Sequence, residues 1–445
     1  MCGSSGAPDD DSFARVVPRH RYSVGMIRLL LESVLACAAS QRTAAAMVRL
    51  FANWLPGVCE TPCANTGRMW LLRLGLYELT RSKQPADDWA WIMDHTLQLG
   101  SHKSLVIVGV RLSAWRQMHR PLQHGDLTLL NLTPMQEATG DRVYDALVKT
   151  VGVTGVPRQV LCDGGGELER GMQRLRGDHP GVARVYDVKH KMALFLKKEL
   201  EHDPRWSAFL GEVARTRREI TQTALAFLIP PVLKNKARSM NVDILVKWGG
   251  AVLGYLKRPR WHPQAPLDPA SLHEKLGWLA GYRPALREWS TLLKISQTTE
   301  DYIRRHGYHR QAPRALAVRL APFAVGPGAG RMCASVLGFV REQSGQAQSS
   351  EERLLGHSEV LESLIGKYKQ LQSTHSKGGM TAMLLSLGAI VSTKTDEAIA
   401  RGLAAVGASA VAKWCQQNLG PTLQSQRIFA LTGNKNGSQN AARTA

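Results

Sequence analysis

Two aspartates stand where a carboxylate is hard to keep. Asp94 lies inside the alternating stretch Trp89–Leu99, among Trp91, Ile92, Met93 and Leu97. Asp163 closes the short apolar run Gln159–Cys162 and precedes the glycines at 164–166. A charged carboxylate in apolar surroundings is costly unless it is paired or binds a cation. Either one alone reads as a turn residue at a strand end. Two at the ends of neighbouring strands read as a site, because ligands of open α/β sheets gather at strand ends.

The elements needed to position them follow from the periodicity. Residues 89–99 alternate, 104–112 form a β-branched apolar run, and 126–132 alternate again. A capped amphipathic helix is expected over 139–151, a buried strand over 159–162, a helix over 167–176 and a strand over 183–188. The order is therefore β-β-β-α-β-α-β, which predicts a mixed sheet flanked by helices. Ahead of it, helices are expected over 22–35, 41–55 and 67–80, the second capped by Ser40. Such a trio suits a helix-turn-helix module, and equally any small helical bundle.

From His190 to Gln346 almost no strand signal is present, and helices are expected over 191–200, 206–221, 243–256, 270–279 and 286–298, parted by proline-rich joints. Later helices are expected over 358–372 and, as one piece, 396–419. Residues 1–20 read as a loose leader and 421–445 as unstructured.

The chain carries 57 Lys and Arg against 36 Asp and Glu, a net charge of +21 over 445 residues. A charge of that size on a folded body calls for a polyanionic partner, usually nucleic acid, with an acidic lipid surface as the alternative. Between Lys189 and Arg260 fifteen basic residues face six acidic ones, so the helical stretch carries much of the positive field. The seven cysteines suggest no disulfide framework, and Cys59 with Cys63 lacks the second pair of a zinc finger. The apolar runs at 29–39 and 383–391 are too short or too charged to cross a bilayer, and no secretory pattern opens the sequence. A cytoplasmic protein without a membrane partner is expected.

Here the residues resemble a family. Asp94 in the first strand, Asp163 after the fourth and 163 − 94 = 69 residues between them look like the ribonuclease-H-like core of DDE transposases, nearest those of bacterial insertion sequences. Asp187-Val188-Lys189-His190 resembles the acidic-or-Cys, two residues, His motif of hAT- and Mutator-like relatives, which also carry a large helical insertion before their third carboxylate. The resemblance covers residues 22–375. It implies an α/β ribonuclease-H-like core with a large all-α insertion and an N-terminal helix-turn-helix-like domain. The divisions are then 1–85 for DNA binding, 86–195 for the first part of the core, 196–345 for the insertion, 346–375 for the returning helix and 376–445 for a C-terminal tail.

The resemblance also implies metal-dependent cleavage and strand transfer of a mobile element, with Asp94, Asp163 and a late glutamate holding Mg²⁺ or Mn²⁺. Glu362 is the expected third acid. Lys369 follows it at a two-turn spacing, as in transposases whose lysine contacts DNA phosphate, while Ser358 stands where that signature has arginine. Glu359, Glu351 and Glu352 remain as alternatives. Asp187 and His190 would orient the site or the strand, and Ser40, Arg42, Arg68 and Lys369 would contact DNA. Trp206, Trp248, Trp261, Trp278 and Trp289 would stack on a flipped base or, as is commoner, fill a core. The partners implied are the element's double-stranded terminal repeats, the target DNA and a second copy of the chain in a nucleoid-associated assembly. A nuclease without strand transfer and an inactive DNA-binding descendant are the competing readings.

Overall fold

The computed structural model describes residues 12–432 except 19, 53, 55–59, 100–101, 233–241, 261–267 and 376–379. It divides into two compact units, one of residues 1–184 with 358–445 and one of 185–357.

The first unit is built on a five-stranded sheet of order β3-β2-β1-β4-β5, with β1 Trp89–Leu99, β2 His102–Arg111, β3 Thr128–Met135, β4 Gln159–Cys162 and β5 Ala183–Tyr186. β1, β2 and β3 pair antiparallel, whereas β1 and β4 run parallel. The unit boundary falls within β5. The helices are α1 Val24–Leu35, α2 Gln41–Ala52, α3 Ala64–Thr80, α4 Leu112–Gln117, α5 Gly140–Thr154 and α6 Gly166–Asp178. A 3-10 turn, His124–Asp126, precedes β3.

The period of two decides which side of the sheet each residue serves. Trp89, Trp91, Met93, Val160 and Cys162 bury against Val143, Ala146 and Leu147 of α5 and Leu168, Met172 and Leu175 of α6. Thr139 caps α5 by accepting from Arg142 N, and Gly155 ends that helix at φ 78°, a backbone that a side chain would strain.

After the end of β5, the long elements described in the second unit are helices: α7 Val188–Glu201, α8 Pro204–Ile220, α9 Val242–Lys257, α10 Pro269–Leu276, α11 Arg283–His306, α12 Ala312–Leu320 and α13 Pro327–Ser344. Its core is aromatic. Trp206 meets Trp289 edge-on at 4.9 Å between centroids, and Phe209 packs against Trp278, Tyr282 and Trp289.

The chain then returns to the first unit as α14 Glu359–His375, α15 Ser386–Val391, α16 Asp396–Ala405, α17 Ala408–Asn418 and α18 Leu423–Thr432. Every residue of α15 is buried, and it crosses α3 with backbones touching. A Cβ on Gly75 would lie 1.8 Å from Leu385 O, and one on Gly388 would lie 2.4 Å from Gly75 O.

Several expectations are corrected. The single helix over 396–419 is broken where Val406 turns extended and Gly407 starts α17. Part of the segment expected to lack structure forms α18, while 433–445 lie outside the described residues. Ser12 is buried and donates to Asp396, so the leader is tied down from there on; residues 1–11 lie outside the described residues. Within the first unit α3 packs on β3, α15 and α16. No helix among the described residues is long and apolar enough to cross a membrane.

Candidate active site

The parallel register of β1 and β4 sets the geometry. Ala90 pairs with Gln159, Trp91 with Val160 and Ile92 with Leu161, a constant offset of 159 − 90 = 69. Asp94 and Asp163 share that offset, since 94 + 69 = 163. Extended two residues, one step past the end of β4, that register puts Asp94 level with Asp163, the paired strands being about 5 Å apart. By alternation they lie on the face opposite the Trp91 and Cys162 side chains.

Both carboxylates are half-buried. Asp94 Oδ1 accepts from His95 N at 2.6 Å, and Asp163 Oδ1 accepts from Gly165 N at 3.1 Å. The second bond closes a tight turn that leads from β4 into α6. The Cys162 thiol, on the other face, is pushed up to about 12, first by burial, with Asp163 and Asp94 among the acids adding to it and Arg184 opposing.

Three further residues surround the pair. His95 Nε2 is shielded from solvent and meets no hydrogen-bond partner among the described residues. Burial lowers the imidazole's pKa, Lys103 lowers it further, and Glu167 and Asp163 oppose them. Lys103 Nζ lies 2.8 Å from Glu167 Oε1 in the first turn of α6. The sequence reading passed over His95, Lys103 and Glu167. The adjacency of His95 to Asp94, and of Glu167 to the glycines after Asp163, was the signal available.

Glu362 stands in the first turn of α14, which packs on β1, the strand of Asp94. The residue is half-buried, and its Oε1 is shielded from solvent. Among the described residues, no three His, Cys, Asp or Glu side chains are gathered closely enough to hold one metal ion. The pairing of β1 with β4 and the packing of α14 on β1 therefore bring the elements that carry Asp94, Asp163 and Glu362 to one sheet. Of the alternatives, Glu359 also starts α14 and lines a cavity with His124 and Ser363. Glu351 and Glu352 belong to the helical unit. There Glu351 accepts from Ser350 Oγ at 2.5 Å and Glu352 from Gln348 N at 2.6 Å.

The remaining expected residues take varied positions. Asp187, fully buried in the helical unit, caps α7 by accepting from His190 N at 2.8 Å, with His190 Nδ1 at 3.0 Å. Ser40 caps α2 through Thr43 N at 3.0 Å, Arg42 is exposed, and Lys369 is exposed on α14. Arg68 is half-buried; burial lowers its pKa against the pull of Cys415. Trp206 and Trp289 are core residues, and the indole N–H groups of Trp248, Trp278 and Trp289 donate to Leu228 O, Thr216 Oγ1 and Asp203 Oδ2. That bonding favours the core role over base stacking. Trp261 and Cys59 lie outside the described residues.

No family model matches the chain, and no curated protein matches it. A solved structure titled "Drosophila P element transposase strand transfer complex" is similar at a TM-score of 0.42 and 11% identity, over 88% of this chain and 96% of that one. A likeness of that size decides neither fold nor function.

Proposed function

We propose that the first unit is a ribonuclease-H-like catalytic core and that the chain is a DDE-type transposase, cutting and joining DNA strands of a mobile element. The observation that carries this reading is the parallel register of β1 and β4, whose offset of 69 residues is also that between Asp94 and Asp163. Carboxylate oxygens at that spacing suit a hard divalent cation, and Asp163 accepts only one hydrogen bond among the described residues, which leaves lone pairs for ligation. Asp94 and Asp163 would hold Mg²⁺ or Mn²⁺, with Glu362 as the third carboxylate. Bound there, the metal would supply a nucleophile activated near neutral pH and neutralise charge on the leaving oxygen.

The chain's own groups do the rest. The buried Trp91, Met93, Val160 and Cys162 share one core under β1 and β4, which would hold the two aspartates in place without reorganisation. The return of α14 to β1 supports Glu362 as the third acid. Net charge +21 supplies phosphate attraction for terminal repeats and target DNA, and action as a dimer or larger assembly is part of the proposal. The spread of the three acids favours a second reading, a DNA-binding descendant that no longer cuts.

Nicking of a supercoiled plasmid in Mg²⁺ or EDTA, with Asp94→Ala, Asp163→Ala and Glu362→Ala beside the parent, tests the proposal. Metal-dependent nicking lost in all three, with DNA binding kept, supports it. Cutting by Asp94→Ala removes the reading, and cutting by Glu362→Ala alone moves the third acid to Glu359, Glu351 or Glu352. Transfer of a labelled strand into the plasmid separates a transposase from a nuclease, and DNA binding without nicking by the parent selects the second reading.

A further inference from the structure

We propose that His124, Ser363, Lys367 and Lys394 form a binding site for a phosphate-type oxyanion, at the junction of the His124–Asp126 turn with α14 and the end of α15. The site goes beyond the function proposed above and uses none of Asp94, Asp163 and Glu362.

The junction is fixed by packing, since the turn meets both α14 and α15, and those helices meet each other. A cavity of about 360 Å³ opens there, lined by Leu122, Gln123, His124, Glu359, Val360 and Ser363. His124 Nε2 lies 3.1 Å from Ser363 Oγ. Lys367 is one helical turn beyond Ser363, so the two side chains share a face of α14. It is half-buried and meets no hydrogen-bond or ion-pair partner among the described residues. Lys394, three residues past the end of α15, donates to Ile390 O and Ser392 O, each at 3.1 Å. An ammonium has three donors, so one is left over.

Gathering basic groups at a half-buried junction is costly. Their mutual influence appears in their titration. His124 is lowered first by burial and then by Lys367 and Lys394, and Lys394 is held at about 8 by burial and Lys367, with Glu32 opposing. The acids facing the cluster are Glu32, engaged by Arg28 at 3.0 Å, and Glu359 on the cavity wall. An oxyanion seated among an imidazole, a hydroxyl and two ammonium groups would relieve the repulsion and gain charge-assisted hydrogen bonds. Phosphate chemistry fits this donor set, whether carried by a free phosphate compound or by a nucleic-acid backbone.

The test is thermal unfolding of the full chain at fixed ionic strength in chloride. Sodium phosphate, adenosine triphosphate without metal, and a short DNA duplex are titrated separately. At least one probe should raise the melting temperature. Its midpoint concentration should rise about tenfold in Lys367→Gln. Because other basic surface also binds DNA, the duplex is judged by the difference between parent and variant. Ser363→Ala, a milder change, should move the same midpoint if Lys367→Gln proves unstable. A response to phosphate or the triphosphate assigns a free oxyanion, and a response to the duplex alone assigns a backbone phosphate. The proposal is overturned if no probe stabilises the parent, or if Lys367→Gln and Ser363→Ala keep the parent midpoint for every probe that binds.

Discussion

Aspartates meet different fates in the two units. In the helical unit Asp187 and Asp203 each cap a helix and collect donors: Asp203 accepts from Arg205 N at 3.0 Å and from Trp289 Nε1 at 2.9 Å. In the α/β unit Asp163 has a single hydrogen bond among the described residues, from Gly165 N, although it is half-buried beside Asp94. A carboxylate that collects several donors holds structure together, whereas one with a single donor, as at Asp163, keeps lone pairs open for the cation proposed above. Burial and charge alone do not separate the two roles. The count and direction of donors do.

The comparison can be broken by substitution, and the largest effect is expected on cleavage. Asp94→Ala or Asp163→Ala should lower metal-dependent plasmid nicking at least about a thousandfold, worth several kcal/mol of barrier, while circular dichroism stays that of the parent. Retained nicking in either variant would place the site elsewhere.

Next comes a carboxylate of the α/β unit that is structural. Asp396 and Arg28 pair at 3.2 Å, with side chains 7% and 9% exposed, and tie α16 to α1. Arg28→Ala should cost about 3–5 kcal/mol in urea unfolding, because it strands a buried carboxylate. A loss below about 1 kcal/mol would mean that water or Glu32 takes over the partnership. Asp187→Ala should cost about 1–2 kcal/mol through the lost cap of α7, whereas Asp163→Asn should leave the melting temperature nearly unchanged. Equal effects from the two would erase the distinction between capping and ligating aspartates.

The smallest expected effect is on pH dependence. Lys83 Nζ donates to Leu79 O and Arg81 O at 3.1 and 2.8 Å, and burial first of all lowers its pKa from 10.5 to about 8. Between those two values the unfolded chain binds the extra proton and the folded chain does not. Stability should therefore rise with pH from about 8 to 10.5, the cost of burying the charged form being present in full below about 8. Lys83→Met should flatten that rise in melting temperature; a slope equal to the parent's would mean Lys83 is solvated.

Much of the sheet was legible, because β1 and β4 announce themselves by alternation and by a short apolar run ending in Asp-Gly. The offset of 69 residues between the aspartates could be counted, but only the strand pairing shows that it equals the register. The run at 383–391 could not be interpreted: a helix buried all round has no polar face to give it a period, and its crossing with α3 rests on Gly75 and Gly388, which lie far apart in sequence. Prolines at Pro313 and Pro327 masked α12 and α13, since a proline in the first turn of a helix looks the same as a proline in a joint. The third acid was the least legible. A helix period gives the face on which Glu362 sits, whereas its reach toward Asp94 depends on how α14 packs.

The most direct test of the account is Mn²⁺ binding to the full chain, followed by electron paramagnetic resonance, in the parent and in Asp163→Asn. The account predicts a bound-Mn²⁺ signal in the parent that Mg²⁺ displaces and that Asp163→Asn weakens by at least about tenfold. An equal signal in both proteins would contradict the claim that Asp94 and Asp163 are paired in register to hold a metal ion.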